Sequence, residues 1–342
     1  MGNSILSRLL IGGVCLGLSS GVVLAQNRAG APAPASLLVV NQGEHNLSIV
    51  DPSTGRQTGT VDEEVTAVHA HEAAASPDGR LAYLPIYGST GVGHPGLNGH
   101  SMLVIDIASR KIVGKVDFGH GIRPHCAVYD PNSGMLYVTT ELDKTVSIID
   151  PKTLKIVGTI PTGQEQSHML AISSDGSRGY TANVGPGTVS VLDMKARKTL
   201  AVIPISKMTQ RISVSRDDSM AFTADQMQPR LAVIDTATNK VKSWVELPGV
   251  GYGTASTRDG RWLLVAIPKE SKVAVVDLKT MKVARTLDVP SAPQEVLMRP
   301  DGKVAYVSCN STGRVAAIDL VGWKVQDVIA TGKGADGLAW AR

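Results

Sequence analysis

The chain has 342 residues, of which 34 are basic and 30 acidic, so its formal net charge is +4. A surplus this small, scattered along the chain, does not favour nucleic acid as a partner. Aromatic residues make up only 4 % of the composition, so any core must pack mainly through Val, Ile, Leu and Ala. The length alone allows two domains.

The first 25 residues have the features of an export signal. Arg8 is the only charged side chain before residue 28, an apolar stretch follows it, and Val23-Leu24-Ala25 fits a signal peptidase site. A retained membrane anchor is the alternative, although the stretch is barely long enough to span a bilayer. We predict a cleaved signal peptide over residues 1–25, a Pro/Ala-rich linker over 26–36, and a periplasmic or secreted protein with no membrane contact after cleavage.

Beyond the linker, one acidic residue recurs at intervals of 55, 44, 43, 42, 42 and 42 residues. It closes a β-branched run such as VSIID each time, and a second strand pattern such as LYVTT precedes most of these runs. A period of about 42 residues with several strands per repeat is typical of a β-propeller with one blade per repeat. We therefore predict an all-β fold, a seven-bladed β-propeller over residues 37–342. The recurring acids are Asp51, Asp106, Asp150, Asp193, Asp235, Asp277 and Asp319.

The two ends of this region supply parts of one blade. We label the strands of a blade A to D from the axis to the rim. Blade one starts at its B strand, LLVVN, and the missing A strand pattern appears at the other end, in GADGLAWAR from Gly334 to Arg342. The last strand is therefore predicted to complete blade one and close the ring, which removes the edges of an open sheet.

The recurring Asp is predicted to be structural. It stands at the turn between strands C and D, where its side chain can accept hydrogen bonds from backbone amides two or three residues on. A residue needed once for chemistry is not required in seven copies. Cys126 and Cys309 fall at different strand positions of blades three and seven, so we expect two unpaired, buried core residues rather than a disulfide.

These strands resemble those of a known family. The B strands LYVTT and AYVSC, the C strands TVSIID and TVSVLD, and the D strand KIVGTIPTG are similar to the YVTN-repeat β-propellers over residues 37–342. The resemblance implies an exported bacterial protein related to surface-layer repeats and to lactonase-like propellers. Members include lactone hydrolases, a muconate-cyclising branch and binding proteins with no known reaction, so the family implies a fold more than a function.

One register of the A strands is polar in every blade, and it is predicted to face the axis. In blade order its residues are Asp336, His71, His125, His168, Arg211, Tyr252 and Gln294. Three residues further along, each position is apolar and is expected to wedge between blades: Ala339, Ala74, Val128, Ala171, Val214, Ala255 and Leu297. The polar residues differ between blades, which makes them better candidates for function than the repeated Asp. The alternative is a wet channel whose polar lining has no function.

Blade two departs from the repeat by about a dozen extra residues, IYGSTGVGHPGLNGHS, between strands B and C. Every B–C loop lies on the face where the A strands begin, so this insertion is expected to project over His71 and its neighbours. It brings Tyr87, His94 and His100 to that face. We predict a lid or binding loop, and a tolerated surface insertion is the alternative.

Three uses of the polar ring stay open. In the first, His125 or His168 is the general base on water that attacks a lactone carbonyl, and Arg211 stabilises the oxyanion. The resemblance to lactonase-like propellers, which use channel His and Arg residues, implies this hypothesis, and it needs no metal or other cofactor. A small-molecule ligand at this upper face would also contact His71, Tyr252, Gln294, Asp336, His94 and His100.

In the second hypothesis, His71, His125 and His168 bind a transition metal such as Zn or Cu. In the third, the ring belongs to a non-catalytic binding or scaffold propeller that takes a small-molecule ligand or an unidentified protein partner. The sequence does not decide whether the protein is an enzyme. We expect a monomer in each case.

Overall fold

The computed structural model describes residues 1–2, 34–64 and 66–342. The predicted signal peptide and most of the linker fall within residues 3–33 and so lie outside the described residues. From residue 36 onward, strands form seven antiparallel sheets, six with four strands and one with five. The prediction of an all-β, seven-bladed β-propeller is confirmed. Among the described residues, no helix has the length and apolar character needed to cross a membrane.

The first three blades contain strands β1 to β12 and the last strand, β29. From A to D, blade one comprises β29 (Ala335–Ala341), β1 (Ser36–Asn41), β2 (Asn46–Asp51) and β3 (Arg56–Asp62). In blade two, strand A is split in two, giving β4 (His69–Ala70), β5 (Ala74–Ala75), β6 (Leu81–Gly88), β7 (Asn98–Asp106) and β8 (Lys111–Asp117). Blade three comprises β9 (Pro124–Asp130), β10 (Met135–Thr140), β11 (Thr145–Asp150) and β12 (Lys155–Pro161).

The remaining blades repeat this plan from A to D. Blade four comprises β13 (Ser167–Ile172), β14 (Arg178–Asn183), β15 (Thr188–Asp193) and β16 (Lys198–Pro204). Blade five comprises β17 (Ser213–Val214), β18 (Met220–Ala224), β19 (Arg230–Asp235) and β20 (Lys240–Glu246). Blade six comprises β21 (Thr254–Ser256), β22 (Trp262–Ile267), β23 (Lys272–Asp277) and β24 (Lys282–Asp288). Blade seven comprises β25 (Pro293–Met298), β26 (Val304–Cys309), β27 (Arg314–Asp319) and β28 (Lys324–Ala330), and short 3₁₀ turns (Pro268–Glu270, Asn310–Thr312) join B to C in the last two blades.

The ring is closed by the two ends of the propeller region. Strand β29 pairs antiparallel with β1, with Leu37 opposite Trp340 and Leu38 opposite Ala339. The predicted closure of blade one by the C-terminal strand is therefore confirmed. Because both neighbours of β1 are now present, its backbone groups are paired on both sides.

The core lies between the blades. Strands B and C carry continuous β-branched runs because both faces of each sheet are covered by neighbouring blades, and they are buried almost throughout, as in β10 and β11. D strands such as β12 are largely exposed at the rim. The apolar A-strand register packs into the core clusters between the blades, as predicted, from Ala74 to Ala339.

The recurring Asp makes the same turn in all seven blades. Asp51 accepts hydrogen bonds from the backbone N–H of Ser53 at 2.8 Å and from the Ser53 hydroxyl at 2.7 Å. The other six acids accept a backbone N–H two or three residues on in the same way, from Ser109, Lys152, Ala196, Thr238, Lys279 and Val321. The structural prediction for these acids is confirmed.

Both cysteines of the propeller are buried and form no disulfide within the described part of the chain, as predicted. Burial raises the pKa of the Cys126 thiol and of the Cys309 thiol to about 12 in each case. Neither thiol is therefore a thiolate nucleophile at neutral pH.

Candidate functional site

The seven A strands bring the predicted polar ring together at the axis. His125, His168, Gln294 and Asp336 lie within β9, β13, β25 and β29, and the other three lie just outside short inner strands. Burial is complete or nearly so for five of the seven side chains, and Tyr252 and Gln294 are half-buried. The register that the sequence predicted to face the axis is therefore the register that does so.

Two glycines let adjacent A strands approach closely enough to hydrogen-bond between blades. Gly337 N–H donates to the His71 carbonyl at 2.9 Å, and Gly253 N–H donates to the Gln294 carbonyl at 3.1 Å. A Cβ atom at Gly337 would lie 2.4 Å from that carbonyl oxygen, and one at Gly253 would lie 2.2 Å from its own acceptor. Only glycine fits at these two contacts, which fix the backbone of His71 and Gln294.

Arg211 lies at the centre of a group of carboxyl groups. Its Nη2 is 3.0 Å from Asp336 Oδ1, its Nη1 is 2.6 Å from Glu72 Oε1, and Glu295 Oε2 is 3.9 Å from the same Nη1. The guanidinium also lies 5.0 Å from the centre of the Tyr252 ring. Because two of its nitrogen atoms already face carboxylates, the geometry favours a structural role for Arg211 over the predicted stabilisation of an oxyanion.

These acids are protonated more readily than ordinary carboxyl groups. Burial raises the pKa of Asp336 to about 7, against the opposing effect of Arg211. Burial also raises the pKa of Glu72 well above its usual value and, to a smaller extent, that of Glu295. Two buried carboxyl groups and the partly exposed Glu295 around one guanidinium cannot all be charged without a large desolvation cost.

The three ring histidines form a second group, and it meets the first where His71 Nδ1 lies 3.9 Å from Asp336 Oδ2. The His125 and His168 rings stack with centroids 3.5 Å apart, and the His71 centroid is 5.3 Å from that of His125. Burial is the main cause that lowers the pKa of His71 and of His125 well below the usual value for histidine. Both rings are therefore neutral at pH 7.

His168 is oriented by a buried carboxylate. Its Nδ1 is 3.1 Å from Glu141 Oε1, and the Tyr87 hydroxyl donates to the other oxygen, Glu141 Oε2, at 2.6 Å. Both side chains of the His168–Glu141 pair are almost completely buried. A carboxylate bound to Nδ1–H fixes the tautomer and leaves Nε2 as the basic nitrogen.

A cavity of about 240 Å³ lies above this group, and we call it the upper cavity. His168 and His71 lie on its wall, whereas His125 does not line it and lies behind the stacked His168 ring. Side-chain amides make up much of the remaining cavity lining. The full lining is Gln42, His71, Gly91, Val92, His168, Gln210, Tyr252, Gln294, Asn310 and Asp336.

The blade-two insertion reaches the upper cavity, as its position in the sequence predicted, because Gly91 and Val92 form part of the lining. Arg123 anchors it: Nε donates to Asn98 Oδ1 at 2.7 Å and Nη2 donates to the His94 carbonyl at 2.8 Å. The same guanidinium lies 5.4 Å from the centre of the Tyr87 ring. The insertion and the His168–Glu141 pair are thus connected through Arg123 and Tyr87.

The structure does not bring the His94 and His100 imidazoles into the upper cavity. The His94 side chain is exposed, and that residue contributes its backbone carbonyl to the anchor instead. The His100 ring is also exposed and lies 3.2 Å from Asp117 Oδ1. Their predicted contact with a ligand would require the loop to rearrange.

The donor geometry does not fit the metal hypothesis. His125 and His168 stack with their ring centroids 3.5 Å apart, and Glu141 Oε1 lies 3.1 Å from Nδ1 of His168. Among the residues that the structure describes, no group of three or more His, Cys, Asp or Glu side chains is placed to hold a metal ion.

Several residues of the site were missed from the sequence, and two further registers contain them. The position six residues after the start of strand B supplies Gln42, Glu141 and Asn310, together with Tyr87, which the sequence had already placed at this face, and it is as variable between blades as the polar ring. The residue after each ring position supplies Glu72 and Glu295, in place of Gly, Cys, Met or Ile in the other blades. In both registers, variation between blades was the sequence signal that could have identified these residues as part of the site.

Comparison with known proteins identifies the family of the fold. A family model described as "Lactonase, 7-bladed beta-propeller" matches residues 38–244, which is more than half of the chain. No curated protein sequence matches the chain.

Solved structures with the same architecture include Kuenenia stuttgartiensis hydrazine synthase, at a TM-score of 0.70 and 19 % identity, covering 89 % of this chain and 99 % of that chain. Dihydro-heme d1 dehydrogenase NirN in complex with DHE matches at a TM-score of 0.63 and 16 % identity, covering 90 % of this chain and 75 % of that chain. At these identities the likeness shows the fold alone.

Proposed function

The chain belongs to the lactonase family of seven-bladed β-propellers, and we propose that it binds a small cyclic ester in the upper cavity and hydrolyses it without a metal ion. The observation that carries this proposal is the buried His168–Glu141 pair on the cavity wall. A buried carboxylate beside an imidazole that faces a cavity is the usual arrangement of a general base and the group that orients it.

In the proposed reaction, a water molecule in the upper cavity gives its proton to His168 Nε2 while its oxygen attacks the lactone carbonyl. Glu141 stabilises the imidazolium that forms. The tetrahedral intermediate then collapses, the ring C–O bond breaks, and the imidazolium returns the proton to the leaving alkoxide, giving a hydroxy acid. The Tyr87 hydroxyl donates a hydrogen bond to the second oxygen of Glu141.

The oxyanion needs donors that are not already taken by carboxylates. Gln210 and Gln294 line the upper cavity and have side-chain N–H groups that can donate to an oxyanion, whereas Arg211 is bound to Asp336 and Glu72. We therefore assign the oxyanion to the cavity amides and assign Arg211 to the support of the axis. His125 acts through its stacking on His168 and is a positioning residue.

The four side-chain amides of the cavity, from Gln42, Gln210, Gln294 and Asn310, favour a second function, binding of a polar ligand without chemistry. An amide both donates and accepts hydrogen bonds, so it binds neutral polar groups without titrating. In either case we propose an exported, periplasmic or secreted protein that takes a small-molecule ligand and needs no cofactor.

The test compares two histidine–carboxylate pairs of the same protein. We expect His168→Gln and Glu141→Gln to lower kcat on a panel of lactones by about two to four orders of magnitude, because general base catalysis contributes roughly that much. His120→Gln is the matched control, since its imidazole lies 3.0 Å from Asp143 on the exposed surface. Parent-level turnover in His168→Gln would exclude this mechanism. An absence of turnover in the parent, together with ligand affinity that the His168 variant changes, would favour the binding function.

A further inference from the structure

The lower half of the axial channel is a second cavity, of about 520 Å³, which we call the lower channel. It reaches the A–B turns, where Pro77 and Pro131 line it, so it opens on the face opposite the upper cavity. Arg211 lies between the two spaces, since it pairs with Asp336 on the wall of one and Glu72 on the wall of the other.

The walls of the lower channel are largely apolar. They include Met169, Ile212, Leu297, Leu338 and Trp340, together with alanines and valines of the inner strands. An apolar space of this size accepts the body of a small organic molecule.

Two carboxyl groups close the inner end of the lower channel. Among the described residues that line it, only Glu72 and Glu295 carry charged side chains. Glu295 is accessible, with 19 % of its side chain exposed, and its Oε2 accepts the Leu338 N–H at 2.6 Å. Glu72 is buried, and its Oε1 accepts no hydrogen bond, because the 2.6 Å contact with Arg211 Nη1 lacks hydrogen-bond geometry.

The carboxyl groups at this end of the channel outnumber the cationic groups, and their raised pKa values mean that protons offset much of the difference. Glu72, Glu295 and Asp336 face a single guanidinium, that of Arg211. A buried excess of negative charge is costly unless protons or a cation offset it. A ligand that brings a positive charge and an apolar body would take the place of those protons and cover the apolar walls at the same time.

We propose that the lower channel binds an organic ammonium ion, with its charged nitrogen against Glu72 and Glu295 and its apolar body along Met169, Ile212 and Leu338. This site is separate from the upper cavity and does not depend on the proposed hydrolysis. An apolar body alone would gain only the hydrophobic part of the binding free energy. The charged nitrogen adds hydrogen bonds to carboxylates, which are roughly twice as strong as neutral ones.

The first experiment uses the parent protein and three probes of equal length: hexylammonium, 1-hexanol and hexanoate. Binding is followed by NMR through the methyl group of Met169, labelled with ¹³C and assigned with Met169→Leu. The exposed Met208 supplies a reference signal outside the channel. We expect hexylammonium to shift the Met169 signal with a Kd at least about tenfold lower than that of 1-hexanol, and hexanoate to bind most weakly. Equal affinity for the ammonium ion and the alcohol would overturn the proposal.

The second experiment removes one charge without changing shape. Glu295→Gln should abolish the preference for hexylammonium over 1-hexanol, whereas Glu165→Gln, at an exposed site beside Lys144, should leave it unchanged. His168→Gln should also leave it unchanged, which separates this site from the upper cavity. A preference that survives in Glu295→Gln would contradict the assignment. Because the comparison of probes in the parent needs no variant, a failure of Glu295→Gln to fold would not remove the test.

Discussion

Two sets of seven residues occupy equivalent positions in this ring, and they differ in kind. The seven acids of the C–D turns are identical, and each accepts the backbone amides of its own turn. The seven residues of the polar ring are Asp, Arg, Tyr, Gln and three His, and each contacts residues of other blades, as Arg211 does with Glu72 and Asp336. The turn acids stabilise the turn of their own blade. The axial residues contact one another at the axis, which is the one place where all blades meet.

The difference also appears in the sign of the pKa shifts. Hydrogen bonds from Ser109 lower the pKa of Asp106 in its turn, whereas burial raises the pKa of Asp336 to about 7 at the axis. Identical side chains therefore respond to pH in opposite directions. A repeated acid is stabilised as a carboxylate, and an axial acid is stabilised in its protonated form.

The largest effect should come from the strand that carries an axial residue and closes the ring. Deleting Gly334–Arg342 removes β29, including Asp336, and leaves β1 unpaired on one side. We expect the cooperative thermal transition to be lost, because every blade is held by its neighbours in a closed ring. Deleting Arg342 alone, which follows β29, is the control and should leave the transition in place. A nine-residue truncation that melts like the parent would contradict the closure.

Fold and axial ring could be predicted from the sequence because both depend on a periodic register. The period fixes the blades, and one position in each A strand points at the axis, so Asp336 and His71 are recognised by counting. Which side chains contact one another depends on the angle between blades and on side-chain length, and a periodic pattern in the sequence gives neither. Three contacts of the site depend on that three-dimensional arrangement: the ion pair of Arg211 with Glu72, the pair of His168 with Glu141, and the stacking of His125 on His168.

A substitution at Asp336 should show, through the pH dependence of the free energy of unfolding, that the pKa of this axial acid is raised. Its folded-state pKa of about 7 lies above the ordinary value of 3.8, so the wild-type protein loses stability as pH rises from about 4 to 7. Asp336→Asn does not titrate, and its stability relative to the wild type should increase over that interval by roughly 3 kcal/mol. The low pKa of His71 acts in the opposite direction, and because His71 Nδ1 lies 3.9 Å from Asp336 Oδ2, the substitution changes that contact as well. Urea denaturation at pH 4.5 and 7.5 measures the difference, with the exposed Asp62→Asn as control. A difference that does not change with pH would exclude the shift.

A turn acid should show a smaller effect with the opposite pH dependence. Asp106→Ala removes acceptors for the Ser109 N–H at 2.8 Å and the Ser109 hydroxyl at 2.7 Å. We expect a loss of about 1 kcal/mol at neutral pH, the typical net value of such hydrogen bonds at a partly exposed site. The loss should disappear as pH falls below about 4, because the lowered pKa of Asp106 contributes stability only while the group is ionised. Ligand affinity should be unchanged. A change in affinity would mean that the repeated acids are not purely local.

The insertion of blade two departs from the repeat but lies outside the polar ring, and it is expected to affect stability least. Its base belongs to the sheet, since Asn98 pairs with Gly88 and accepts a hydrogen bond from Arg123. We therefore shorten only Thr90–Gly96, replacing it with Asn-Gly, a two-residue turn suited to a hairpin. Loop length affects closure entropy weakly, so the melting temperature should stay close to that of the parent.

The shortened loop should weaken substrate binding although it leaves the fold intact. The shortened loop lacks Gly91 and Val92, which line the upper cavity, but leaves His168 and Glu141 in place. We expect KM for the best lactone substrate to rise roughly three- to tenfold with a smaller change in kcat, because contacts that bind substrate and transition state alike are lost. Arg123→Gln keeps the loop at full length but releases its anchor at His94, so it should reproduce part of the effect. Unchanged kinetics in both variants would make the insertion a surface loop and confine the site to the ring.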